Sequence, residues 1–150
     1  VHPEGEMAYL HASLTEAIIK CFYEVYNELG YGFLERVYEL SMMIHLEECG
    51  LSASRQRPIE VHYHGLLVGH YVADILVEDS VLIEIKAVER LAPEHEYQLI
   101  NYLRATDVEV GLLLNFGRRP EVRRRLFTND RKGRLVLSKK RNTDNTEKER

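Results

Sequence analysis

The sequence predicts an α/β domain built on a mixed sheet, in the order helix, helix, strand, strand, strand, helix, strand. Three observations carry that prediction. The first part of the chain repeats apolar residues at three and four, the middle switches to an alternating period, and an apolar strand is then followed by a helix and a second apolar strand.

Each element follows from its local pattern. Met7, Leu10, Leu14, Ala17, Ile18, Cys21, Val25 and Leu29 mark an amphipathic helix from about Met7 to Leu29, ended by Gly30 and Gly32. Leu34, Val37, Tyr38, Met42 and Leu46 mark a second from about Phe33 to Cys49, with Gly50 placed to close it. Pro58–Tyr63 reads as a strand, His64-Gly65 as a tight turn, and Leu67–Val77 as a longer strand with Gly69 as a bulge or kink. After the turn Glu78-Asp79-Ser80, Val81–Val88 is an almost unbroken apolar run and belongs in mid-sheet. Pro93, with Glu94 and Glu96 in the first turn, opens a third helix lasting to about Ala105. Val108–Leu114 is the next strand, and a strand–helix–strand unit of this length predicts a right-handed crossover between parallel strands. Pro120–Phe127 is expected as a helix and Arg134–Leu137 as a short strand.

Composition bounds the function. The 150 residues suit one domain, assigned to 1–137, with a flexible basic and polar tail at 138–150. No apolar run approaches the roughly 20 residues of a spanning helix, and the first residues have neither a basic nor an apolar leader region, so no membrane partner and a cytoplasmic location are expected. Cys21 and Cys49 both sit in helical apolar patterns, which favours small buried residues over a disulfide, and two thiols cannot hold an iron–sulfur cluster or a four-thiolate zinc. His62 and His64 alternate beside a turn, an arrangement expected at an exposed edge. The net charge of −4 is unevenly spread: residues 1–117 carry 7 Lys/Arg against 19 Asp/Glu, whereas 118–141 carry 11 against 2. Arg118, Arg119, Arg123, Arg124 and Arg125 head this basic stretch, which also holds Arg131 and Lys132 and is suited to a polyanion.

The chemistry concentrates between Tyr71 and Val88. Asp74 lies late in one expected strand, and Glu84 and Lys86 lie two apart in the next, where buried charges are costly unless paired or coordinated. Pairing Val77 with Val81 across the turn sets Asp74 opposite Glu84, on the face Lys86 shares, while Ile83 and Ile85 fill the other. Two carboxylates with a main-chain carbonyl such as that of Ile85 and waters suit magnesium, or manganese. Such an ion would polarise a phosphoryl oxygen and lower the pKa of water, and Lys86 would orient that water or offset developing charge.

Asp74, nine intervening residues, then Glu84-Ile85-Lys86 resembles the PD-(D/E)XK nuclease superfamily, whose core has the same element order. Gly32-Phe33-Leu34-Glu35-Arg36-Val37-Tyr38 is further similar to the GxxExxY family, and Gln98 with Tyr102 to the QxxxY element of exonuclease-like branches. The agreement runs from about Leu14 to Gly117, with Ala73 in place of the Pro of the superfamily name. The resemblance implies a restriction-endonuclease-like core and a nuclease acting on nucleic acid, DNA being favoured over RNA. It implies Asp74, Glu84 and Glu35 as metal ligands, Lys86 as the catalytic lysine, and Gln98, Tyr102 and Tyr38 in support. A homodimer would suit cutting of both strands of a duplex. Two other readings stay open from sequence: a binding module with this fold that does not cut, and a protein-interaction domain.

Overall fold

A computed structural model of the chain describes residues 10–133. The expected strand at 134–137 and tail at 138–150 lie outside the described residues, as do Met7 and the expected start of the first helix. Helices α1 (Ala12–Leu29) and α2 (Glu35–Glu48) are followed by strands β1 (Ala53–Tyr63), β2 (Leu66–Val77) and β3 (Val81–Lys86). Helix α3 (Pro93–Arg104), strands β4 (Val110–Phe116) and β5 (Pro120–Leu126), and a short 3-10 turn (Asn129–Arg131) complete the order.

The five strands form one sheet in the order β1-β2-β3-β4-β5. Only β3 and β4 are parallel, and α3 connects them, as a strand–helix–strand crossover requires. The centre of the sheet, β3 and β4, is buried on both faces. On one face α1 and α2 contribute Ile18, Phe22, Tyr38 and Met42 to a cluster with Ile75, Ile83, Ile85 and Leu112. On the other, Leu99, Tyr102 and Leu103 of α3 pack with Leu76, Leu82 and Leu113. A Cβ at Gly111 would lie 2.7 Å from Leu99 Cδ1, so glycine is what lets α3 approach β4 this closely.

Four sequence expectations need correction. Pro120–Leu126 is a strand, not a helix, because Val122 and Leu126 share one face and pack onto the α1–α2 side of the sheet, a period of two that the run of arginines conceals. β1 begins at Ala53 rather than Pro58, since the polar residues Ser54, Arg55 and Arg57 pair with β2 without burying a side-chain face. Cys49 is exposed at the end of α2, although Cys21 is buried in α1. His62 is buried rather than at an exposed edge, at a register shift between Val61 and His62.

Candidate active site

The site forms where the sheet opens. β2 and β3 pair through Val77↔Val81, Leu76↔Leu82 and Ile75↔Ile83, and the pairing stops there. Asp74 and Glu84 come next in that count, but no backbone pair joins them. Instead Asp74 N–H donates to Glu84 Oε1 at 3.0 Å, and Ile85 N–H donates to Asp74 Oδ2 at 2.7 Å. Each carboxylate therefore takes over a backbone donor of the opposite strand that the parted ladder leaves free. The expected direct opposition of the two residues is thus replaced by a reciprocal side-chain clasp. Ile85 enters it through its amide, and its side chain is in the core.

The other neighbour of β2 breaks at the same level. β1 pairs Arg55 with Ile75 and Arg57 with Ala73, skipping Gln56, whose φ of 56° is left-handed. Ala73 and Ile75, two apart, join core clusters on opposite faces of the sheet, so β2 turns at Asp74. An acidic residue at a kink between two interrupted ladders is held by its surroundings rather than by strand pairing.

Burial sets the electrostatics. It pushes the Asp74 carboxyl up to about 6, against the Ile85 N–H and the Lys86 charge and with the help of Glu39 and Glu35. Burial, then the charge of Asp74, pushes Glu84 up to about 8, opposed by the Asp74 N–H and by Lys86. Near neutral pH the pair therefore retains a proton that a divalent cation would replace. Two oxygen donors in a site that disfavours bare negative charge fit a hard cation such as magnesium. Lys86 is half-buried at the end of β3, in register with Asn115. Asn115, fully buried, ties down the chain beyond Lys86 by donating to Val88 O at 2.9 Å and accepting from Val88 N–H at 3.0 Å.

The acidic contribution of α2 is split. Glu35 is exposed in the first turn, and its charge reaches both carboxyls without its carboxylate closing on them. Among the described residues no triad of His, Cys, Asp or Glu ligand atoms within 4.8 Å of one another includes Asp74 and Glu84, so Glu35 is a neighbour of the pair and not part of a preformed three-ligand set. One turn on, Glu39 is buried, weighs more on Asp74 than Glu35 does, and is held by Gln56 Nε2 at 2.6 Å and Arg55 Nε at 3.4 Å. Glu39 is legible in principle, since it shares a helical face with Glu35 at a spacing of four. Gln56 carries no such signal. Tyr38 does not reach the site: its hydroxyl donates to Gly30 O at 2.7 Å and accepts from Phe33 N–H at 3.2 Å, and its ring stacks on Phe116. It pins the turn that introduces Glu35.

Gln98 and Tyr102 meet on α3, with Gln98 Nε2 2.9 Å from the Tyr102 hydroxyl. Burial, and next the charge of Glu84, raises the Tyr102 phenol above its ordinary pKa. Both residues also line an open groove of about 520 Å³ with Val61, Tyr71, Tyr97 and Asn101.

The basic stretch is not one free surface. Arg123 and Arg125 point to Glu96 of α3, Arg123 at 3.4 Å, and Arg124 points the other way to donate to Leu10 O at 2.6 Å. Lys132 is buried and donates to Thr106 O at 2.9 Å and Val108 O at 2.6 Å, and burial lowers its ammonium to about 8. Arg131 lies over the Phe127 ring. That leaves Arg118 and Arg119, exposed in the β4–β5 turn without a carboxylate partner among the described residues, Arg118 lying 5.8 Å from the centre of the Tyr31 ring. Alternation along β5 is what divides the arginines.

A family model described as the PD-(D/E)XK nuclease superfamily matches residues 12–125. The mixed five-stranded sheet with three helices among the described residues is consistent with the restriction-endonuclease-like fold of that group. No curated protein matches. A solved structure described as the crystal structure of SSO0001 is similar at 16% identity and a TM-score of 0.46, over 73% of this chain and 57% of its own length. The chain thus spans little more than half of that structure. No helix among the described residues is long and apolar enough to cross a membrane.

Proposed function

Because the chain belongs to the PD-(D/E)XK nuclease superfamily, we propose that it hydrolyses phosphodiester bonds in nucleic acid, with a divalent metal held by Asp74 and Glu84. The observation that carries this reading is the clasp at the sheet opening. A half-buried Asp74 and a buried Glu84, each accepting the other strand's N–H and each pushed toward protonation, persist beside a half-buried lysine. Ionised together, the two carboxylates carry more charge than Lys86 alone can offset, and a divalent cation would supply the rest.

Magnesium, or manganese, would supply Lewis acidity toward a phosphoryl oxygen and a more acidic water. The chain's own residues do the rest. Lys86 orients the attacking water and offsets charge developing on the phosphoryl group. Gln98 and Tyr102 connect the carboxylates to the α3 groove and position substrate there, while Glu35 and Glu39 bring negative charge that favours a cation. Arg118 and Arg119, rather than the whole basic stretch, steer the phosphate backbone. The Gly32–Tyr38 segment supports placement in the GxxExxY family, and DNA as substrate, a homodimer and a cytoplasmic location belong to the same proposal.

A cleavage panel of labelled single- and double-stranded DNA and RNA, with and without magnesium or manganese, tests it. Lys86→Ala is expected to cut turnover by about 10²-fold or more with circular dichroism and binding unchanged. Cleavage that survives this change would sink the assignment, and metal-insensitive binding without turnover would make the chain a non-cleaving binder.

A further inference from the structure

Away from the carboxylate pair, the two N-terminal helices bring two thiols and an imidazole together. Cys21 Sγ of α1 lies 3.4 Å from Cys49 Sγ, and one ligand atom each from Cys21, His45 and Cys49 all lie within 4.8 Å of one another. No other such group of three occurs among the described residues. His45 and Cys49, four apart, reach the same side of α2 and its end, and Cys21 meets them from α1. Two carboxylates stand around the imidazole: Glu24 Oε2 is 3.2 Å from Nε2 and Glu48 Oε2 is 3.4 Å from Nδ1.

We propose that Cys21, His45 and Cys49 form a structural zinc site, with the carboxylate of Glu24 or Glu48 as the fourth ligand. The donors decide the class of ion. Two thiolates and an imidazole select zinc over the hard cations that suit Asp74 and Glu84. The spacing agrees: in a tetrahedral site with Zn–S bonds of about 2.3 Å the sulfurs stand about 3.8 Å apart, and the observed 3.4 Å is nearer to that than to the roughly 2.05 Å of a disulfide. A disulfide would also leave the convergence of His45 unexplained. Only one imidazole nitrogen can bind the ion, so the carboxylate on the other nitrogen orients the ring, and the remaining carboxylate, which stands near His45 but outside the group of three, would close the tetrahedron by rotating its side chain.

The site would act as a clip. It joins α1 to the C-terminal end of α2, and α2 carries Glu39 and Glu35 toward Asp74 from its opposite end. Locking the far end of the helix would hold that acidic face in place without touching the reacting groups.

The reduced, metal-free chain titrated with zinc or cobalt(II) tests the proposal. One metal per chain is expected to survive desalting, to raise the melting temperature, and in the cobalt form to show a thiolate-to-metal charge-transfer band. Cys49→Ser, at an exposed position, is expected to keep the fold by circular dichroism while weakening retention beyond the roughly 10–100-fold that loss of an outer partner costs. His45→Ala is expected to lose retained metal likewise. Glu84→Ala should leave the band intact, because the carboxylate site holds no sulfur. Absence of retained metal in the reduced wild-type chain, retention undiminished in Cys49→Ser and His45→Ala, or a Cys21–Cys49 disulfide that forms in air while zinc is present would each overturn it.

Discussion

The two ends of the β2–β3 hairpin are made of the same strands and obey opposite rules. At the closed end, Ile75, Leu76, Val77, Val81, Leu82 and Ile83 are all buried, backbone-paired and apolar, with side chains divided between the two core clusters. Just beyond, at Asp74 and Glu84, the backbone pairing stops and carboxylates replace it. The closed end supplies stability through area removed from water and complete hydrogen bonding. The open end gives some of that up to hold charge where charge is disfavoured. The register is continuous in number across both ends, so the closed end sets where the open end's carboxylates meet.

If the ends are separable in this way, damage to one should not reach the other. Ile83→Ala, at a fully buried position, is expected to lose about 2–5 kcal/mol of stability while leaving the pH at which Glu84 titrates unmoved. Denaturant unfolding and carboxyl titration by NMR measure the two quantities on one sample. A shifted Glu84 titration would show that the closed end tunes the site as well as placing it.

Glu84→Gln reverses the experiment. Both carboxyls have folded pKa values raised above their unfolded ones, so the protonated pair contributes stability that is fully present below the unfolded values and is lost as pH rises through about 6 and about 8. The metal-free wild-type chain should therefore lose stability between about pH 4 and pH 8, and magnesium should restore more of it at pH 8 than at pH 5. Gln at 84 can still accept from Asp74 N–H but cannot ionise. At pH 8 it is expected to gain on the order of 2 kcal/mol without metal, to flatten most of the pH dependence, and to abolish cleavage. Stability unchanged or lower at pH 8 would mean that Glu84 is not held against its charge.

Much of this contrast is legible in the order of residues alone. The apolar run from Val81 makes Glu84 and Lys86 conspicuous, and the pairing Val77↔Val81 follows from turn length. The clasp is not legible, because counting residues continues a ladder and cannot say where two strands part. β5 reads wrongly as a helix for a related reason: its three consecutive arginines mask a period of two that becomes visible only once Glu96 and the α1 side draw them to opposite faces. Asn115 is a residue that the same reasoning can catch. A polar residue in a wholly buried strand calls for an explanation, and here the explanation is the chain leaving Lys86.

The smallest expected effect lies on the other side of Asp74, where β1 skips a pair at Gln56. A left-handed glutamine is strained by about 1–2 kcal/mol, and glycine would relieve that while making the unfolded chain more flexible by about 0.5–1 kcal/mol. Glycine would also remove the 2.6 Å bond from Gln56 Nε2 to the buried Glu39 carboxylate, a class of bond that contributes about 1.5–3 kcal/mol. The lost bond and the added flexibility outweigh the relieved strain, so Gln56→Gly is expected to destabilise by about 1 kcal/mol. Gln56→Asn should separate the two terms, because asparagine tolerates the backbone but is too short to reach Glu39 as glutamine does. A stabilised Gln56→Gly would mean that the break in β1 is strain left unrelieved beside the site, and that Glu39 does not depend on β1 for its place near Asp74.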